Sequence, residues 1–509
     1  MEVDHFNTGT PLSTSLESLT SSFLVWVVPH DADSVYAKVF PLPLPGTDRF
    51  LNAAMNASQI FPGRLDDERL IAAFRDSLTY YPHVSARLRI KGDDWWLSAG
   101  KRGIPIRFQT TEEPLNHHLT FALTPTEIID QISLDLSGAS ECDWDEPMLQ
   151  ITVTYCPKTN ESAIGWSHNH ILGDGHLVWH FWGAWSQYYQ GKEPLFGRPT
   201  YEKYRSPHPP GEYINNPETD AFVTRHLPHL KEIHPPQQYA EMRKAAREST
   251  TFVELFFSAH QLEQLRTVAG SWAGHSSNGD SRNRTAPQDA LGAYFIATMN
   301  RCLDVPITRV IITVTSRGIK NPDYLKPGDW RAPGYFAAGN NVYQVYTPTL
   351  SIEEASSIGA VAAAIRKSVK EARQYEHAKR VFAISEPMTA RLAKEKTFYK
   401  AWGDGMLMRT PSRADGSILH FGFGNVRIAT YEIWPGMVRC FQAPSVRQLD
   451  GSWIQNGDGL IMWTLIPTKI HDKFLAMVAT DLNSNAFPVN IATREREAQE
   501  KLGRARARL

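Results

Sequence analysis

The chain has 509 residues, 42% of them hydrophobic and 21% charged, with a formal net charge of −1 at pH 7. That length calls for more than one hydrophobic core, and the near-neutral balance gives no global attraction for nucleic acid or an anionic membrane. Four scattered cysteines, Cys142, Cys156, Cys302 and Cys440, form neither a disulfide framework nor a metal-ligand spacing, which points to reduced thiols and an intracellular protein.

The first apolar run, Phe23–Val28, lacks a basic leader and is too short to cross a bilayer. Residues 35–109 mix strand and helix patterns. Asp66 is a candidate N-cap, followed by Leu70, Ile71, Phe74, Leu78 and Tyr81 at helical spacing until Pro82 stops the run. Residues 84–90 and 104–109 read as strands. A hairpin follows, with Met148–Tyr155 as one strand, Lys158–Asn160 as the turn and Ala163–His170 as the other strand. Gly173, Asp174 and Gly175 break that pattern, and an aromatic-rich helix runs from His176 to Tyr189. Residues 204–250 are rich in Pro, His and polar residues and read as a long connector. Ser258 with Gln261 makes a capping box for a helix ending at Gly270, and 276–284 is a polar loop. Thr285 with Gln288 is the expected cap of the helix over 290–303, and 309–316 is a buried strand. Ser351 with Glu354 opens a helix carrying Ile358, Val361, Ile365 and Val369 on one face. Residues 459–467 and 473–480 complete the pattern as strands. The alternation predicts two α/β units with mixed sheets: residues 1–205, a crossover connector over 206–250, and residues 251–509.

The stretch 167–182, SHNHILGDGHLVWHFW, concentrates chemistry. Ile164, Trp166, His168 and His170 alternate onto one strand face, and the glycines behind them permit a turn that exposes the last strand residue. A histidine there suits general-base work, because its pKa near neutrality lets it be uncharged and still accept a proton. A zinc site built on His168 and His170 with His176 or Asp174 is the competing reading, but no remote Cys/His cluster completes it. For His168, His176 and His180 the expected role is packing among aromatic residues.

His170-Ile171-Leu172-Gly173-Asp174-Gly175 matches H-x-x-x-D-G. This stretch resembles the active-site motif of the BAHD acyltransferases and the wider CoA-dependent acyltransferase superfamily. Residues 80–89, YYPHVSARLR, resemble the segment after that family's first helix. Residues 313–345 resemble its Arg- and Asn-bearing region, with Arg317 and Gly339-Asn340 in the matching places. HFGFG, 420–424, resembles its D-F-G-W-G hallmark. The likeness runs in order over about residues 20–485. Three positions depart from it: Thr315 stands for the usual Asp, His420 and Phe423 replace the Asp and Trp of the hallmark, and Asn169 replaces the histidine of the HH form.

The resemblance implies two chloramphenicol-acetyltransferase-like domains, each a mixed β-sheet with flanking helices, and an active-site channel between them. His170 would be the general base for acyl transfer from acyl-CoA to a hydroxyl or amine of a small-molecule acceptor of secondary-metabolite type. Asp174, Gly175 and Arg317 would be structural, with Asp174 pairing with Arg317. Phe421, Gly422, Phe423, Gly424 and Asn340 would line the substrate or CoA side. The family's co-substrate is acyl-CoA, with no metal and no permanently bound cofactor. The chain would act as a monomer. Other readings on the same motif are a condensation-type enzyme using carrier-bound substrates and a non-catalytic ligand-binding descendant. The expected location is cytoplasmic, with the peroxisome as the alternative because Ala507-Arg508-Leu509 is a variant of the SKL address.

Overall fold

A computed structural model of the chain describes residues 19–115, 141–143, 145–205, 216–231, 233–270, 285–326, 328–394, 398–399, 406–411, 419–423, 427–430, 435–443, 446–447, 453–454 and 459–484. The polar loop 276–284, Gly424 and the C-terminal tripeptide lie outside the described residues.

Two six-stranded mixed sheets organise the chain. The strands are β1 (Leu19–Val27), β2 (Ala54–Phe61), β3 (Ile104–Thr111), β4 (Leu149–Cys156), β5 (Glu161–Asn169), β6 (Thr250–Phe257), β7 (Arg309–Thr315), β8 (Val342–Tyr346), β9 (Met406–Pro411), β10 (Arg427–Thr430), β11 (Met437–Gln442) and β12 (Leu460–Pro467). The first sheet has the order β1-β3-β4-β5-β2-β10 and the second β6-β12-β11-β9-β7-β8. β3 and β4 are parallel in the first, and β9 runs parallel to both β7 and β11 in the second. The predicted α/β architecture with mixed sheets is therefore present. One strand ignores the order of the chain: β10 comes from the second half but pairs with β2, Arg427 against Ile60 through Thr430 against Ala57.

The helices that matter for the site are α1 (Gly46–Phe50), α2 (Asp67–Tyr80), α3 (Gly175–Tyr189), α4 (Glu202–Arg205), α5 (Pro217–His226), α6 (Pro236–Glu248), α7 (Ala259–Gly270), α8 (Pro287–Asn300), α9 (Ile358–Ala372), α10 (Tyr375–Lys394) and α11 (His471–Ser484). Asp66 caps α2 as expected, its carboxylate accepting the Arg69 N–H. α2 and α3 pack together on the first sheet. Phe74, Phe181 and Trp185 stack edge to face there, and Trp185 Nε1 donates to Leu70 O at 2.9 Å. The second core lies between the other sheet and α7, α8, α9 and α11, with Tyr294, Phe295, Val438, Met462 and Phe474 buried in it. α1, from the first half, docks on α10, from the second: Thr47 donates its N–H and hydroxyl to the Glu386 carboxylate at 3.2 and 2.7 Å.

Four expectations are corrected. Residues 473–480 are helical, in α11: Ile470, Phe474, Val478 and Asp481 are buried at a period near four, and a short apolar run carries either period until its packing partner decides. α8 is capped by neither Thr285 nor Gln288; Ala286 is its N-cap and Pro287 its first residue, because proline's fixed φ and missing N–H suit that position. Ser351 and Glu354 do form a capping box, but for the short helix Ile352–Ala355, and Ser357 caps α9 separately. The Pro-rich stretch after 204 is not a bare connector: α5 and α6 lie in it, with Pro217 and Pro236 in their first turns. The prolines there open helices. Among the described residues no helix is long and apolar enough to cross a membrane.

Burial holds His83, His168 and His229 uncharged, each pushed down to about 3. Unfolded imidazoles take up protons from about pH 6.5 downward, and these folded ones do not. The unfolded state then binds more protons, so stability is complete above about pH 6.5 and is lost progressively as the pH falls toward 3. Thermal melts should give a Tm several degrees lower at pH 5 than at pH 7; a Tm that is flat or rises on acidification would contradict this burial pattern.

Candidate active site

β5 ends at Asn169, and His170–Leu172 form one 3₁₀ turn before α3. Asn169 shapes the exit: its side chain accepts the Ile171 N–H at 3.0 Å and donates to Asn52 Oδ1 at 2.7 Å. Gly173, at φ 156°, is where the turn demands glycine, since side-chain-bearing residues rarely adopt that conformation, and a Cβ there would also crowd the Leu177 side chain. Gly175, expected as the structural glycine, opens α3 with nothing within 4 Å of a Cβ position, so the steric demand falls on Gly173.

The segment Ala337–Asn341 of the second half runs beside this turn, with a bridge between Gly173 and Gly339. It is held by Asp174 and Arg317, both buried. Asp174 Oδ2 accepts from Arg317 Nη1 at 2.5 Å and from the Asn341 N–H at 2.9 Å, and Oδ1 caps α3 by accepting the Leu177 N–H. Arg317 gives its Nε–H and Nη2 hydrogens to the carbonyls of Ala337 and Gly339. Burial alone would raise the Asp174 carboxyl, but the Arg317 charge and hydrogen bond hold it below the usual carboxylate range. The carboxylate therefore stays ionised, with both oxygens turned to partners within the protein.

Asn340 faces the histidine. Its Oδ1 accepts from His170 Nδ1 at 2.8 Å, while its Nδ2 donates to Asp48 Oδ1 at 2.7 Å and to His170 O at 2.9 Å. The last two groups are acceptors only, so the carboxamide has one orientation and His170 must carry its proton on Nδ1. The described hydrogen bonds of the ring go through Nδ1, and Nε2 keeps its lone pair. Burial, with a smaller push from the Arg439 charge, lowers the His170 pKa below its ordinary value. A neutral imidazole with a fixed tautomer and a free acceptor nitrogen has the chemistry that general-base work requires. Asn340, expected on the CoA side, is 1% exposed and its side chain is occupied by these contacts.

Sequence reasoning missed Asp48 and Lys203. Asp48, on α1, is fully buried; it accepts the Asn340 backbone N–H at 2.9 Å and pairs with Lys203 Nζ at 2.7 Å. Lys203, on α4, also donates to Asn340 O. A lone Asp in PLPGTDRF carries no local signal, and its partner Asn340 is 292 positions away.

The other histidines pack. His168 is buried in β5, its ring 6.5 Å from that of His170. His176 Nε2 meets Tyr335 O at 3.2 Å, and His180 stacks on Phe196 with centroids 3.9 Å apart. Among the described residues no group of three or more His, Cys, Asp or Glu is placed to hold a metal ion.

The HFGF stretch docks on the first sheet and α3. Phe421, at φ 46°, is buried against Phe61, Trp185 and Tyr189, and its N–H donates to Ser186 Oγ at 3.0 Å. Phe423 packs near Phe61 and over Gly63, where a Cβ would meet its ring at 2.5 Å. His420 supplies turn acceptors: its Nδ1 takes the Gly422 N–H at 3.0 Å and its carbonyl the Phe423 N–H at 2.9 Å. Of the residues expected near substrate, Phe421 has its ring packed against α3 and Phe423 has its ring near Phe61 and Gly63.

By sequence the chain matches no family model and no curated protein. By structure it is similar to vinorine synthase, with a TM-score of 0.55 over 90% of this chain and 96% of that one at 15% identity. It is similar also to F. graminearum TRI101 complexed with ethyl coenzyme A, with a TM-score of 0.56 over 86% and 97% at 13% identity. F. sporotrichioides TRI101 complexed with coenzyme A and T-2 gives 0.55 over 85% and 96% at 14% identity. The chain has a BAHD-like fold. Within that fold His170, Asp174, Arg317 and Asn340 are brought together from both halves of the chain.

Removing one partner of a buried ion pair leaves the other charge stranded and costs about 3–5 kcal/mol. Asp174→Asn and Arg317→Met should each lower the Tm, and the double variant should cost less than the sum, by more than about 0.5 kcal/mol. Strict additivity in denaturant melts, with the Tm of Asp174→Asn unchanged, would assign Asp174 a role other than this pair.

Proposed function

We propose that the protein is a CoA-dependent acyltransferase in which His170 is the general base. The observation that carries this is the His170 ring itself: Nδ1–H is committed to Asn340, Nε2 is left as acceptor, and burial keeps the ring neutral. TRI101 of the same fold has been solved with coenzyme A together with T-2 or deoxynivalenol, which supports a CoA thioester and a small-molecule acceptor as the two substrates.

His170 Nε2 takes the proton from an acceptor hydroxyl or amine as its O or N attacks the thioester carbonyl. The tetrahedral intermediate collapses, the C–S bond breaks, and the CoA thiolate leaves and recovers the proton from His170. The products are the acylated acceptor and free CoA thiol. Holding both substrates in one complex removes the entropy of bringing them together, and the base contributes a further ~10²–10⁴-fold. Asp174 takes no part in proton transfer, because both its oxygens are occupied within the protein. One chain carries every group named, which suits a monomer.

Thiol release from a panel of acyl-CoA thioesters with alcohol and amine acceptors tests this. His170→Ala should lose on the order of 10²–10⁴-fold in turnover with its melting curve unchanged; near wild-type turnover would end the assignment.

The pH profile gives a second check. The base works only when neutral, and its pKa is below the ordinary value, so kcat/KM should rise with pH along an acid limb centred below about 6.5. A limb centred above that value would place the essential base elsewhere.

A further inference from the structure

Asp48 and Lys203 lie outside every motif of the sequence, yet they form a buried ion pair one residue behind the base. Asp48 is fully buried and Lys203 is 8% exposed at its side chain. A charge pair taken out of water in this way brings little net stability, since desolvation offsets most of its attraction. Its geometry shows a different use. Asp48 Oδ1 takes both the backbone N–H and the Nδ2–H of Asn340, at 2.9 and 2.7 Å. Lys203 holds Asp48 Oδ2 at 2.7 Å and takes the Asn340 carbonyl as well. Asn340 is thus gripped at its N–H, its C=O and its side chain by one ion pair. Only its Oδ1 remains, and that faces His170 Nδ1 at 2.8 Å.

Resting on the proposed role of His170, we infer that Asp48 and Lys203 are positioning residues that hold the His170 imidazole in its Nδ1–H tautomer by fixing the Asn340 carboxamide. The mechanism is one of hydrogen-bond polarity. A carboxylate oxygen is an acceptor only, so it selects the NH₂ end of Asn340 and turns the oxygen toward the histidine. Without that anchor the NH₂ end keeps only the His170 carbonyl as acceptor, the amide is held less firmly, and a rotated amide presents N–H groups to Nδ1. The ring then moves its proton to Nε2, which can no longer accept one from the acceptor. The pair also connects distant parts of the fold. α1 carries Asp48 and is docked on α10 through Thr47 and Glu386, and Lys203 lies on α4, the helix after α3 in the chain. The base is therefore tuned only when the two halves are together.

Two charge-free variants separate this role from a merely structural one. Asp48→Asn with Lys203→Met removes both charges but keeps a carbonyl oxygen that can accept from Asn340. Asp48→Leu with Lys203→Met removes both charges and the acceptor. The first readout needs no substrate: long-range ¹⁵N–¹H NMR of the full chain labelled with ¹⁵N-histidine, with His170→Ala assigning the signal. The wild type and the Asn/Met variant should show His170 protonated on Nδ1 at neutral pH. The Leu/Met variant should show a mixture or the Nε2–H form. The second readout is thiol release from the acyl-CoA and acceptor pair that the wild type uses: the Leu/Met variant should lose on the order of 100-fold in kcat with the acyl-CoA KM little changed, and the Asn/Met variant should retain turnover. A wild-type ring protonated on Nε2 overturns the inference even if the Leu/Met variant does not fold. So does a Leu/Met variant that keeps the Nδ1–H form, or two variants alike in tautomer. If the tautomers behave as described and no acyl transfer is found, the reading of the reaction fails while the positioning role stands.

Discussion

The site depends on one contact, the buried 2.5 Å ion pair between Asp174 and Arg317. It joins residues 143 positions apart and does three jobs with one carboxylate. It caps the helix that follows the His170 turn, neutralises the arginine, and takes the N–H of Asn341. Arg317 in turn collects the carbonyls of Ala337 and Gly339. The strand of backbone that carries Asn340 is thereby laid against His170, and its buried backbone groups find partners: the N–H of Asn340 and Asn341 and the carbonyls of Ala337, Gly339 and Asn340, as burial requires.

Around that contact the polar groups are arranged in series. Lys203 meets Asp48, Asp48 meets Asn340, and Asn340 meets His170, each donor facing an acceptor. In a low-dielectric interior such a chain leaves few alternative proton placements, because each misplacement strands a buried group. The result is a histidine that is neutral, oriented and open at one nitrogen.

The second half of the chain reaches into the first at several places. β10 extends the first sheet, Phe421 and Phe423 pack around α3 and β2, and α10 receives α1. The Phe421 contacts with Trp185, Tyr189 and Ser186 anchor α3, the helix that follows the turn bearing His170. The hallmark-like HFGF stretch is accordingly a clasp in this protein. Its histidine does with a ring nitrogen and a carbonyl what a turn needs from any acceptor, which explains how the chain tolerates His420 and Phe423 at those positions.

Local pattern was enough for much of this. The period-2 run through His170, the glycine-bounded turn, the Asp66 cap and the aromatic stripe of α3 follow from hydrophobic spacing and turn chemistry, and the likeness to a known motif pointed to His170, Asp174 and Arg317. Local pattern failed where two periods or two roles fit the same residues: the apolar run 473–480 became a helix because its buried positions recur every three to four residues against α8, and Pro217 and Pro236 opened helices in a stretch that reads as broken. It was silent on Asp48 and Lys203. A single aspartate and a single lysine look like surface charges in any window of sequence, and only folding buries them together beside Asn340. What the sequence by itself determined was therefore the alternation of elements and the candidate histidine of the motif; which nitrogen of His170 is left as acceptor was decided by the tertiary structure, because a tautomer is set by the hydrogen-bond polarity of neighbours that are hundreds of residues apart along the chain.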